Sequence, residues 1–183
     1  MFLLCGLGNR DFRYFNTRHN AGYLVVERFS ERYGIPLDKR IYNCIAGIKD
    51  NIVIAKPYTY MNLSGRPVAA IVKAFNIKNE EMMIVHDDLD IEFGRIKIKW
   101  DGSDGGHKGV RSVIESLGTK DFYRLKVGIS RDPVMAPEEY VLSNFRKDEV
   151  HLLNDVLDMA AEALYIFIHE GKEKAMSIYN KRL

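Results

Sequence analysis

Two histidines, His19 and His107, sit in polar segments that also carry asparagines, carboxylates and glycines. The segments are GLGNRDFRYFNTRHNAG (Gly6 to Gly22), KPYTYMNLSG (Lys56 to Gly65), HDDLD (His86 to Asp90) and GSDGGHKG (Gly102 to Gly109), each placed where an apolar run stops. A histidine needs only a carboxylate partner and amide contacts to activate water as a general base, so this inventory fits metal-free hydrolysis. The three carboxylates of HDDLD also suit a hard divalent cation. Acidic residues after a strand more often cap a turn or orient a partner, and that reading is preferred, with no metal and no cofactor expected.

Other motifs fail on spacing. Gly6-Leu7-Gly8 opens like a dinucleotide fingerprint, but position 11 is Asp where a third glycine belongs. No GxxxxGK[ST] phosphate loop is present, and His169-Glu170 lacks the second histidine of a zinc-protease helix. His86 and His151 are read as structural.

Strand-like and helical patterns alternate around these segments. Phe2–Leu7, Met82–Val85 and Leu125–Ile129 are short apolar runs, as in buried strands, and Arg95–Trp100 alternates apolar and charged residues. Ile41–Ile48 and Ile52–Ala55 flank Asp50-Asn51 as a hairpin. Helices are expected over Ala21–Tyr33, Pro67–Phe75, around Val110–Leu117, from about Lys147 to Glu170, and briefly at the end, with a loop containing Pro133 and Pro137. The pattern predicts an α/β fold, one domain over residues 1–183, with a mixed, mostly parallel sheet and helices on both faces. In such sheets ligands bind beyond the carboxyl ends of the strands, and His19, Asn62, Asp87 and His107 all follow strand-like runs closely.

The chain has 183 residues, 46% of them hydrophobic, and a net charge of +2, which excludes a polybasic coat for nucleic acid. Charge is nonetheless uneven. Between Arg95 and Arg131 there are nine basic residues against four acidic ones, and from Asp132 onward six against ten. The basic third is either a phosphate-facing surface or a set of ordinary strand-edge lysines. Cys5 and Cys44, isolated in apolar runs, read as buried reduced thiols of a cytoplasmic protein. No signal peptide is expected in MFLLCGLG, and no run approaches the ~18–20 apolar residues of a membrane helix.

Three stretches resemble the signatures of the bacterial-type peptidyl-tRNA hydrolase family: TRHNAGYLVVERF (Thr17–Phe29), KPYTYMNLSGRPV (Lys56–Val68) and the long run from His86 to Ile129. Their order and spacing match too. The resemblance implies an enzyme, expected to act as a monomer, that cleaves the ester between a peptide and the 3′ end of tRNA. It implies that His19 is the base, that Asp87 orients it, and that Asn9 helps tell blocked from unblocked aminoacyl ends. Tyr14, Tyr60 and Asn62 fall where the family contacts the terminal nucleotide and peptide; plain packing is the alternative for both tyrosines.

The chain departs from the family pattern in three places. GLGNRD replaces GLGNPG, Lys108 stands in GGHKG where the family commonly has asparagine, and Lys126 replaces an arginine. Lys108 either contacts a phosphate or developing oxyanion, or points into solvent while its backbone amide binds. A non-catalytic RNA-binding relative of the same fold is the rival reading, opposed by the intact His19, Asp87, Asn9 and Asn62.

Overall fold

The computed structural model describes residues 1–181. Its centre is a seven-stranded sheet: β1 (Phe2–Gly6), β2 (Lys39–Ile41), β3 (Cys44–Lys49), β4 (Ile52–Pro57), β5 (Met82–Asp88), β6 (Ile96–Trp100) and β7 (Tyr123–Gly128), in the order β2-β3-β4-β1-β5-β7-β6. The inner four, β4, β1, β5 and β7, run parallel. The antiparallel pairings lie at the edges, where β3 joins β4, β2 joins β3, and β6 joins β7.

Alternation along the inner strands builds two cores. Leu4, Ile54, Met83 and Val85 point to one face, against Val25 and Phe29 of α1 (Ala21–Tyr33) and Ala160 and Leu164 of α5 (Val150–His169). Leu3, Val53, Met82 and Ile84 point to the other, against Val68 and Ile71 of α2 (Gly65–Ala74) and Val110 and Val113 of α3 (Lys108–Leu117). Burial on both faces explains why β1 and β5 read as continuous apolar runs, whereas edge strand β6 alternates. Two shorter helices, α4 (Pro137–Val141) and α6 (Lys172–Tyr179), complete the chain, and α6 packs its Ala175 on the first face.

One glycine sets the approach on which the site depends. A Cβ at Gly22, in the first turn of α1, would collide with the Val85 carbonyl of β5. Its absence lets the chain just before α1 settle on the carboxyl end of β5, two residues from Asp87.

Three expectations are corrected. Ile41–Ile48 is not one strand: Tyr42 and Asn43 adopt φ of 49° and 57°, a tight left-handed turn that ends β2 and starts β3. Such turns are usually announced by glycine, and here no glycine marks the place. The proline loop is partly helical, because Pro137 at the first helical position presets φ for α4. Finally, the basic third of the chain is not uniformly a surface. Arg124 is 1% exposed and donates to the carbonyls of Asp101, Ser103 and Lys120 at 3.0–3.3 Å, pinning the start of GSDGGHKG to β7.

Candidate active site

The segments that carry His19, Asn62, Asp87 and His107 converge at the carboxyl ends of β1, β4 and β5 and the start of α3. There they help line a cleft of about 590 Å³. A cavity of this size accommodates a small-molecule-sized group.

Asp87 is the hub. Its carboxylate, 3% exposed, lies 3.0 Å from Nδ1 of His19 and 2.8 Å from Nε2 of His107. The tautomer of His107 is set by its other nitrogen, since Nδ1 accepts the backbone N–H groups of Gly109 (3.1 Å) and Val110 (3.2 Å). Nε2 therefore carries the proton and donates it to Asp87. His107 is thus the N-cap of α3 and a clamp on the carboxylate at once. By the same logic Nδ1–H of His19 points at Asp87, leaving Nε2 across the ring as the lone-pair nitrogen.

The charge states follow from burial and partners. Burial would raise the Asp87 carboxyl, but the charges and hydrogen bonds of the two imidazoles hold it well below the usual carboxylate range. For His19, burial pulls downward. The charge and hydrogen bond of Asp87 outweigh it, Lys108 pulls downward again, and the net position is above an ordinary histidine. His86 is held well below by burial and by His107, whose ring stands 4.9 Å away, so it is neutral. Its Nδ1–H donates to the Asp87 carbonyl at 2.7 Å, and its buried Nε2 has no partner among the described residues.

Asn9 is fixed on three sides. Its backbone N–H and carbonyl pair with the Asn20 amide at 2.8 and 3.0 Å, and its own Oδ1 accepts Met61 N–H at 2.7 Å. Its Nδ2 donor is thereby directed away from Met61, and Asn9 lines the cleft. Tyr14, Asn62 and Lys108 line it too, the last two exposed. Tyr60 does not; it is 40% exposed outside, donating to Asp11 at 3.1 Å. Lys126 is engaged with Asp88 at 3.0 Å.

Two groups that the sequence did not single out organise this geometry. Arg18, 2% exposed, pairs with Glu149 at 2.7 Å, donates to Ser143 Oγ at 3.0 Å and lies over the Tyr140 ring at 4.5 Å. It ties the residue before His19 to the α4 wall of the cleft. Asn20 ties Asn9 to the segment that carries His19. An arginine and an asparagine flanking a histidine give no sequence signal of burial. His107 stood at a helix start, but histidine is not among the residues expected at an N-cap.

The sequence model of the family described as peptidyl-tRNA hydrolase matches residues 3–183. The chain belongs to the peptidyl-tRNA hydrolase family. Its relatives include the peptidyl-tRNA hydrolase of Thermodesulfovibrio yellowstonii, 44% identical over 99% of this chain and 100% of that protein. That of Shouchella clausii is 39% identical over 98% and 100%. Among solved structures, a peptidyl-tRNA hydrolase from Acinetobacter baumannii superposes with a TM-score of 0.88 at 32% identity, covering 97% of this chain and 93% of that one. A single-substitution variant of that enzyme gives 0.91, covering 98% and 94%. The family resemblance and the expected α/β architecture are both borne out. No helix among the described residues is long and apolar enough to cross a membrane.

Proposed function

We propose that this enzyme hydrolyses the ester joining a peptide, or an N-blocked aminoacyl group, to the 3′ end of tRNA, with His19 as general base and without a metal. The observation that carries this reading is the Asp87 carboxylate held between two imidazoles that both line the cleft. His19 Nε2 takes a proton from water as the oxygen attacks the ester carbonyl. Collapse of the tetrahedral intermediate breaks the bond to the ribose oxygen, which receives that proton from His19, releasing a carboxylic acid and a free hydroxyl end. Asp87 orients the ring and stabilises its charged form between the two steps. Asn9, Asn62 and Lys108 supply donors to the carbonyl or the terminal nucleotide, Tyr14 lines the same space, and Tyr60 serves the RNA outside it.

The donors support metal independence. Ligand atoms of His19, Asp87 and His107 lie within 4.8 Å of one another, a spacing that a cation could bridge. Yet His107 Nδ1 is occupied by two backbone N–H groups, so Nε2 holds its proton and offers no lone pair. Every residue named comes from one chain, so a monomer suffices. Two buried unbridged thiols fit a cytoplasmic setting.

The test is turnover of N-acetyl-aminoacyl-tRNA. His19→Ala should lower kcat/KM by about 10²–10⁴ while tRNA binding persists. Chelation and desalting of the wild-type protein should leave the rate unchanged. Near-normal turnover by His19→Ala, or activity restored only by one particular divalent ion, would overturn this mechanism.

A further inference from the structure

Outside the cleft, the loop after Asn9 and the loop after β4 bring guanidinium groups and aromatic rings together on the surface. The Arg10 guanidinium lies over Tyr60 at 5.1 Å and Tyr58 at 5.8 Å, Arg40 over Tyr58 at 5.2 Å, and Arg13 over Tyr14 at 4.7 Å. Phe12 stands beside them 85% exposed, with Phe15 as its one aromatic partner among the described residues, at 5.3 Å. An aromatic ring held in water by a short turn gains nothing from that position in the free protein.

The two loops are locked together. Arg10 N–H donates to the Thr59 carbonyl at 3.0 Å, next to the Asn9–Met61 bond. The patch is therefore continuous with the cleft through Asn9 and Tyr14. Its charge is three arginines against Asp11, whose contacts to Arg10 and Arg13 are 3.8 Å, beyond hydrogen-bond length. The guanidinium donors remain available to an anion.

We propose that Arg10, Phe12, Arg13, Arg40 and Tyr58 form a stacking platform for single-stranded RNA: the unpaired nucleotides that precede the one entering the cleft. This rests on the hydrolase reading for the identity of the RNA. Rings and guanidinium planes accept the faces of any base, and the arginines accept the phosphates between them. Charge complementarity favours RNA over the peptide end of the substrate, which has no phosphates to offer three arginines. One member of the platform, Arg10, lies where GLGNRD departs from the family pattern.

The test uses the intact protein and an unacylated pentaribonucleotide of adenine and cytosine, followed by fluorescence anisotropy. Phe12→Ala should weaken binding roughly 5- to 150-fold, the equivalent of one base stack, and Phe12→Tyr should restore it. The double variant Arg10→Ala/Arg13→Ala should also weaken binding, and should flatten the slope of log affinity against log salt by about 0.7 for each phosphate no longer neutralised. In turnover of N-acetyl-aminoacyl-tRNA the same variants should raise KM. Unchanged oligonucleotide affinity in both variants overturns the platform. So does a loss confined to an N-acetylated aromatic tripeptide, which would make this a peptide surface. The two readings fail separately. Wild-type protein that binds the oligonucleotide through these residues but cleaves no ester refutes the hydrolase alone; cleavage with unaltered variants refutes the platform alone.

Discussion

The centre and the rim of this molecule are built on opposite terms. At the centre, Asp87 is buried and hydrogen-bonded, each imidazole beside it is held by a second contact or by packing, and even the neighbours of His19 are tied down, Arg18 by Glu149 and Asn20 by Asn9. At the rim, Lys108, Asn62, Phe12 and Tyr60 are exposed. The residues proposed for the chemistry lie at the centre, while two departures from the resembled pattern, Arg10-Asp11 and Lys108, fall at the rim; the third, Lys126, pairs with Asp88. The reason is physical. A buried charge network tolerates no change of donor or acceptor without leaving an unpaired group, whereas an exposed residue can be exchanged at small cost.

The sharpest way to break this contrast is Asp87→Asn. The carboxylate is what lifts His19 above an ordinary histidine, so the base loses its proton only as pH rises through that raised value. With His19 as the proposed base, the acid limb of kcat/KM against pH should accordingly lie above the ordinary histidine range in the wild-type enzyme. Without the charge, burial and Lys108 remain, and both pull His19 downward. The variant should be impaired by about 10² at neutral pH, less than His19→Ala, with its limb displaced to lower pH. A limb that stays in place would detach Asp87 from the base.

His107 separates two functions that meet in one ring. His107→Ala removes both the cap of α3 and the clamp on Asp87, costing about 1 kcal/mol of stability for the cap alone. His107→Asn keeps a good capping residue and should recover most of that stability, but is too short to reproduce the geometry at Asp87. Thermal unfolding and turnover together decide. Both variants should lose activity, about tenfold for a hydrogen bond of roughly 1.4 kcal/mol, while only Ala loses the cap. If activity follows stability across the pair, His107 merely holds a helix.

Much of this was legible in the sequence, and the failures have a common cause. His19 and Asp87 stood out because polar residues interrupt apolar runs at strand ends, a local signal. The continuous apolar run around Leu3 and Leu4, and the alternation of Ile96 and Lys97, made the sheet and its edge readable for the same reason. Arg18 and Arg124 were invisible as buried groups, since what buries them is a set of backbone carbonyls from distant segments. His107 looked like part of a glycine-rich turn; its tautomer depends on the amides of α3 and its proton on β5. The Tyr42-Asn43 turn was missed because side chains without glycine adopted left-handed backbone. Pairings between remote segments leave no periodic trace.

The smallest effect is expected at Lys108, where the rim reaches the centre. At GGHKG the helix-start amides and the lysine side chain compete for the part of anion donor. The amides of Gly109 and Val110 are occupied by His107 Nδ1, which shifts the balance toward the ammonium. Lys108 is exposed, lines the cleft and acts on His19 through its charge, lowering the imidazole against the pull of Asp87. Removing it in Lys108→Ala or Lys108→Asn should therefore move the acid limb of the pH profile slightly upward, opposite in sign to Asp87→Asn. Water and salt screen an exposed charge, with a Debye length of about 10 Å at 0.1 M, so this displacement should shrink as ionic strength rises. A phosphate contact adds a higher KM with a shallower salt dependence, and an oxyanion contact adds a lower kcat. The measurement is steady-state kinetics of both variants across pH at two salt concentrations. A wild-type profile in every condition would mean that the ammonium points into solvent and that this departure from the family pattern is chemically silent.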